Sequence, residues 1–98
     1  MPNPTPLTAA QITAALKDLK GWTRDGDKLT RTFEFKHFKE AMGFVVRMAF
    51  EAEAMGHHPE LHNVYRTVKV SLSTHDADDK ITQKDVDLAK AIDHLSWV

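Results

Sequence analysis

The segment KHFKEAMGFVVRMAFEAEAMGHHPE, residues 36–60, determines the fold because it joins a long apolar helix to a tight corner and the start of a strand. Its apolar residues recur at helical spacing over residues 36–55, and Gly56 is the residue type that ends helices in a left-handed conformation. Two adjacent histidines, His57 and His58, follow before a proline. Imidazole suits proton transfer near neutral pH, so this corner is the first candidate functional site.

The helix over residues 36–55 is apolar almost all round. At 100° per residue, its core-facing arc is predicted to contain Phe38, Ala41, Met42, Val45, Met48, Ala49, Ala52 and Met55. A second apolar band on a different side contains Val46, Phe50 and Ala54, together with Gly43. Contiguous apolar surface on so small a protein usually marks an interface. We therefore expect a homo-oligomer that forms through the 36–55 helix.

The sequence before this helix predicts a shorter helix and a hairpin. Thr8 and Gln11 have the spacing of a capping box, and the helix that they begin is predicted to end at Gly21. Two extended segments, residues 22–24 and 28–35, are then separated by an Asp-Gly-Asp turn.

The sequence after the corner predicts a second hairpin, followed by a helix. Residues 60–64 and 67–73 predict two strands joined by a short turn. Thr82 and Asp85 then give a second capping signal, for a last helix that runs towards Trp97. The order helix, hairpin, helix, hairpin, helix folds most simply as an α+β domain, in which a four-stranded antiparallel sheet carries three helices on one face.

The composition is that of one soluble globular domain over residues 1–98, with residues 1–6 expected to be flexible because three prolines prevent helix there. Lysine and arginine number 13 against 14 aspartate and glutamate, a net charge of -1 that argues against direct nucleic-acid binding. The sequence contains no cysteine, and no apolar run approaches the roughly 18 residues of a membrane helix. Because the first residues lack the blocks of a signal peptide, a cytoplasmic location is expected.

Several candidate proton carriers lie at the ends of predicted strands and helices. They are His57, His58, His75, Glu53, Asp85 and Glu60. Imidazoles near carboxylates suit general acid and base catalysis, which contributes about 10²- to 10⁴-fold to a rate. The same groups can bind zinc or iron, although adjacent residues such as His57 and His58 seldom bind one ion together. A structural alternative is that a charged histidine only interacts with the preceding helix end, and that Asp85, which faces inward, only caps its own helix.

Four blocks carry a resemblance to a known family. They are Glu53-x-x-x-His57-His58-Pro59-Glu60, Asn63-Val64-Tyr65, Leu72-Ser73-Thr74-His75 and Thr82-x-x-Asp85-x-x-Leu88-Ala89. In this order they resemble the pterin-4a-carbinolamine dehydratases, also known as dimerisation cofactors of a hepatic homeodomain transcription factor. The resemblance implies a four-stranded antiparallel sheet with three helices on one side. It also implies dimers or tetramers, the latter through the helix that matches residues 36–55.

The resemblance implies dehydration of 4a-hydroxytetrahydropterin, the product left when an aromatic amino acid hydroxylase uses its pterin, to quinonoid dihydropterin. The pterin is the substrate, so neither a cofactor nor a metal is implied, and a hydroxylase is a candidate partner. By position, the catalytic set is His57, His58, His75, Asp85 and Glu53, and the substrate-binding set is His58, Ser73, Thr74 and Trp22. His57 and His75 are the expected proton carriers, while His58 would bind or orient the pterin.

Two other functions are left open by the sequence. Relatives also act as assembly or transcription partners through their helical surface, which allows a binding module, and the histidines allow metal-dependent hydrolysis. The loop at residues 76–80 is acidic and lacks the glycines that many relatives have there, and Met55-Gly56 replaces bulkier residues before the histidines. Neither difference touches a residue assigned to the chemistry, so the dehydratase is preferred.

Overall fold

The computed structural model describes residues 4–95, which form an α+β fold. Its helices are α1 (Ala9–Leu16), α2 (Phe38–Met55) and α3 (Gln83–Leu95), and a short 3₁₀ turn spans His75–Ala77. Its strands are β1 (Thr23–Asp25), β2 (Lys28–Glu34), β3 (Glu60–Val64) and β4 (Thr67–Leu72). The predicted order of helix, hairpin, helix, hairpin, helix is confirmed.

The four strands form one antiparallel sheet in the order β1-β2-β4-β3. The hairpin of β1 and β2 is therefore joined to the hairpin of β3 and β4 by the pairing of β2 with β4 at the centre of the sheet. In that pair Leu29 lies opposite Leu72 and Phe33 lies opposite Val68, so their apolar side chains share one face of the sheet. These four residues are at most 1% exposed, which places the core on this face.

Helices α2 and α3 bring their apolar sides to the core, but the buried side of α2 differs from the predicted arc. It consists of Ala41, Phe44, Met48 and Ala52. Phe44, which the predicted arc left out, is fully buried, whereas Phe38 and Met55 are exposed. The buried face is rotated towards Phe44 because Phe33 of β2 and Phe35, just after that strand, contact its ring. An almost uniformly apolar helix gives no period strong enough to fix that rotation.

Helix α1 begins as predicted and ends earlier. Thr8 and Gln11 form both hydrogen bonds of the capping box. The helix ends at Leu16, and not at Gly21, because the next three backbone amides bond to the third preceding carbonyl and tighten the chain. This tighter turn brings Leu19 into the core, where it is almost completely buried.

The segment before α1 is attached to the start of α3. Pro6 forms a β-bridge with Thr82, and the backbone amide of Leu7 donates to the carbonyl of Ile81 at 2.8 Å. Residues 1–3 of the segment predicted to be flexible, and Trp97 at the predicted end of the last helix, lie outside the described residues. Among the helices of residues 4–95, none is long and apolar enough to cross a membrane.

Candidate active site

The histidine corner is fixed by the way in which α2 ends. Gly56 has a left-handed conformation with φ of +63°, and its backbone amide donates to the carbonyl of Glu53. The amide of His57 donates to the carbonyl of Ala52 at 3.1 Å. These two bonds form a Schellman motif, which turns the chain sharply out of the helix. The backbone of His57 is therefore held by α2 itself.

Two adjoining recesses lie where α2 and β4 end and where β3 begins. The first, of about 290 Å³, is lined by Gly56, His57, His58, Ser73, Thr74, His75, Asp76 and Lys84. The second, of about 390 Å³, is lined by Lys28, His58, Glu60, Ser71, Ser73, His75 and Asp79. His58, Ser73 and His75 line both recesses. The structure thus brings the three predicted histidines together from two separate parts of the sequence.

His57 is buried and paired with a buried acid. Its Nε2 atom lies 2.6 Å from Oδ1 of Asp85, and the two residues are 8% and 0% exposed. Because a carboxylate oxygen accepts hydrogen bonds, we assign the ring hydrogen to Nε2 as the donor. The other ring nitrogen, Nδ1, is then left as an acceptor, and His57 lines the first recess.

Asp85 also caps its helix, as the structural alternative predicts, and it does so while bonded to His57. Its Oδ2 atom accepts the backbone amide of Thr82 at 2.9 Å, which is the capping interaction predicted from sequence. The same oxygen accepts the hydroxyl of Thr74 at 2.8 Å. One carboxylate oxygen thus accepts hydrogen bonds from the start of α3 and from Thr74 after β4, and the other lies against His57.

His58 and Glu53 form a second pair at the surface. His58 Nε2 lies 2.6 Å from Glu53 Oε1, and both side chains are mostly exposed. Glu53 lies in the last turn of α2, and the Schellman turn brings His58 back towards it. This pair separates the recesses from an apolar groove that contains Val46, Phe50 and Leu61.

His75 forms a third, weaker pair with an acid that the sequence did not single out. His75 Nδ1 lies 3.3 Å from Asp79 Oδ1, and both side chains are highly exposed. Asp78 and Asp79 have φ of 56° and 60°, in the left-handed region that favours glycine. Both residues belong to the loop at residues 76–80, which lacks glycine, so the backbone is strained there. In this conformation Asp79 lines the second recess.

Glu60, the sixth candidate proton carrier, lies at the rim of the second recess. Its Oε2 atom accepts a hydrogen bond from Lys28 Nζ at 2.8 Å. This bond raises the pKa of the exposed Lys28 amine above its usual value. The lysine was not predicted as a site residue, because it comes close to Glu60 only through the pairing of both β2 and β3 with β4.

Trp22 lies in the core and is 4% exposed. Its ring packs edge-on against Phe33, and its indole N–H donates to Oδ1 of Asp93 at 2.9 Å. Asp93 also accepts a hydrogen bond from Arg31. Trp22 lines neither of the two recesses. Its assignment to substrate binding stays a prediction, which the buried position of the ring does not support.

The two predicted substrate contacts on the strand end differ in position. Ser73 lines both recesses, whereas Thr74 is almost completely buried and directs its hydroxyl at Asp85. Thr82, predicted only as a helix cap, joins the same buried network. Within residues 4–95, no three His, Cys, Asp or Glu side chains cluster closely enough to hold a metal ion.

Comparison with known proteins finds a family model and named relatives that match nearly the whole chain. The family model described as "Pterin 4 alpha carbinolamine dehydratase" matches residues 5–95. A protein of Opitutus terrae, provisionally named a pterin-4-alpha-carbinolamine dehydratase, is 55% identical over 97% of this chain and 98% of its own length. A protein of Roseiflexus sp. with the same provisional name is 50% identical over 93% of this chain and 97% of its own length.

Solved structures resemble the fold. A transcriptional coactivator/pterin dehydratase from Brucella melitensis superposes with a TM-score of 0.87 at 36% identity, covering 92% of this chain and 97% of that one. A pterin dehydratase-like protein described as a RuBisCO assembly factor in the alpha-carboxysome has a TM-score of 0.64 at 18% identity, covering 78% and 87%. The second likeness concerns the fold alone.

Proposed function

The chain belongs to the pterin-4a-carbinolamine dehydratase family, and from this premise we propose that it dehydrates 4a-hydroxytetrahydropterin to quinonoid dihydropterin. The observation that carries the proposal is the convergence of His57, His58 and His75 on two adjoining recesses, each beside a carboxylate. The proposal includes the recycling role, in which the substrate is what an aromatic amino acid hydroxylase leaves behind.

The reaction needs one proton delivered and one removed. The bond from C4a to the hydroxyl oxygen breaks, the N5–H bond breaks, and a double bond forms between C4a and N5. Water leaves with the proton that an acid supplies to the hydroxyl oxygen, while a base receives the proton from N5. Groups on two sides of the pterin ring system are well placed for these transfers, each of which contributes about 10²- to 10⁴-fold.

We assign the base to His57 and the acid to His75. The bond from His57 Nε2 to Asp85 leaves Nδ1 free to accept the N5 proton, and the buried carboxylate stabilises the imidazolium that results. His75 is highly exposed, so its ring can exchange protons with water between turnovers. His58, held by Glu53, would orient the pterin between these two residues.

The proposal is tested by adding the purified protein to a pterin-dependent hydroxylase and following the decay of the 4a-carbinolamine absorbance. Faster decay than in buffer is expected, and His75→Ala should lower kcat/KM about 10²-fold or more. His62→Ala is the matched control, because His62 is an exposed histidine on β3 that lines neither recess. Equal decay with and without the wild-type protein would exclude the proposed activity.

We also propose that two copies associate through the outer side of α2. Phe50 is 76% exposed, and it borders an apolar groove with Val46 and Leu61. Exposed apolar surface of this kind favours a second copy of the chain as its partner. His58 lines the groove and both recesses, so association would cover one side of the histidine corner.

A further inference from the structure

We propose that Thr74 and Thr82 are positioning residues that orient His57 by fixing the carboxylate of Asp85. Thr82 has otherwise been no more than a helix cap, and Thr74 was assigned to the substrate. The inference rests on the proposed dehydration only for its effect on rate, since the orientation of His57 can be measured without any pterin.

The hydrogen bonds run in one direction through this network. Thr74 has one hydroxyl hydrogen, which it donates to Asp85 Oδ2 at 2.8 Å. The hydrogen between the two hydroxyls, 2.7 Å apart, therefore comes from Thr82. The oxygen of Thr82 in turn accepts the backbone amide of Lys84 at 3.2 Å. Every hydroxyl in the network both donates and accepts.

The network fixes the rotation of the carboxylate of Asp85. Oδ2 accepts from the Thr74 hydroxyl and from the Thr82 amide, so the side chain cannot turn without losing both bonds. Oδ1 is then held 2.6 Å from His57 Nε2. Thr74, Thr82 and Asp85 are at most 3% exposed, so water cannot easily replace a missing hydroxyl.

The competing explanation is that the threonines only join the end of β4 to the start of α3. The chain offers a matched control for this alternative. Thr8 also caps a helix, α1, through its hydroxyl oxygen, which accepts the amide of Gln11 three residues on at 3.2 Å, whereas that of Thr82 accepts the amide two residues on. Thr8 bonds to no acid beside a histidine. Loss of the Thr8 hydroxyl therefore removes a helix cap and leaves the network unchanged.

The test compares Thr74→Val, Thr82→Val and Thr8→Val, together with Thr74→Ser and Thr82→Ser. Proton NMR of ¹⁵N-labelled protein without substrate reports the exchange of the His57 Nε2 hydrogen with water, and kinetics with the 4a-carbinolamine give kcat and KM. Both buried valine variants should exchange this hydrogen about fivefold to tenfold faster and lose a similar factor in kcat, with KM little changed. Serine should restore both values, and Thr8→Val should alter neither.

Valine variants whose His57 hydrogen exchanges as slowly as in Thr8→Val would overturn the inference. If Thr74→Val does not fold, Thr82→Val and the two serine variants supply the same comparison. A wild-type protein that is inactive towards the pterin, with the expected exchange differences intact, would support the inference and refute the proposed function. Loss of activity without any change in exchange would refute the inference alone.

Discussion

Replacing Asp85 by asparagine should abolish the base while leaving the fold intact. The amide oxygen can still accept the two hydrogen bonds that Oδ2 accepts from Thr74 and Thr82. The amide nitrogen then faces His57, and because it is a donor, His57 Nε2 has to accept. The ring hydrogen moves to Nδ1, which is the nitrogen that should receive the substrate's proton.

The expected loss of activity follows from the role of His57 as the base, and the expected loss of stability follows from the bonds of Asp85. With Nδ1 protonated, the whole contribution of the base is lost, so kcat/KM should fall about 10²- to 10⁴-fold. Asp85→Ala instead leaves the His57 N–H, the Thr74 hydroxyl and the Thr82 amide without an acceptor. At about 1 kcal/mol or more for each buried donor, it should destabilise by at least about 3 kcal/mol. For a domain of this size, that lowers the melting temperature by about 12 °C or more.

Three measurements check the reasoning. Circular dichroism melts should place Asp85→Asn close to the wild type and Asp85→Ala well below it. The ¹⁵N shifts of the His57 ring should change from the Nε2–H to the Nδ1–H tautomer in the asparagine variant. Decay of the 4a-carbinolamine absorbance gives kcat/KM. An asparagine variant with kcat/KM within threefold of the wild type would refute the assignment of His57 as the base.

Other changes test the remaining parts of the site and the proposed interface. Glu53→Gln should raise KM several-fold with kcat nearly unchanged, because it weakens only the bond that orients His58; a fall in kcat alone would contradict this role. Phe50→Glu should shift the protein towards monomer in light scattering, since it puts a charge into an apolar contact; an unchanged mass would exclude that surface. Asp78→Gly and Asp79→Gly should each remove about 1 kcal/mol of backbone strain at a left-handed residue, and so raise the melting temperature. Only Asp79→Gly should lower kcat/KM, about threefold, and equal activity of the two variants would exclude a role for the Asp79 carboxylate.

Most of the fold was predictable because local sequence signals determine where its helices and strands begin and end. The Thr8 capping box, the Gly56 helix end and the alternating strands around Val68 each act within a few residues, and the structure confirms them. The rotation of α2 was not predictable in the same way. Its side chains are apolar almost all round, so contact with the sheet, and not the helix's own pattern, decides that Phe44 is buried.

The site was predictable as a set of residue types and only partly as a geometry. His57 and Asp85 lie 28 positions apart, and no local rule states that they meet at 2.6 Å. The inward direction of Asp85 was readable from helical periodicity, and its partner was not. Asp79 was missed because its contact with His75 depends on a left-handed backbone, which is rare for residues other than glycine.

The two helix caps of this chain explain why an acid is required at the start of α3. Both caps use a side chain three residues after the capping threonine to accept that threonine's backbone amide. In α1 this side chain is Gln11, whose single oxygen is then committed to the cap and whose amide nitrogen cannot accept a hydrogen bond. In α3 it is Asp85, whose second oxygen is still available after the first has served the helix. The helix cap alone would tolerate an amide at this position, whereas a cap that also holds the Nε2–H of His57 requires a carboxylate.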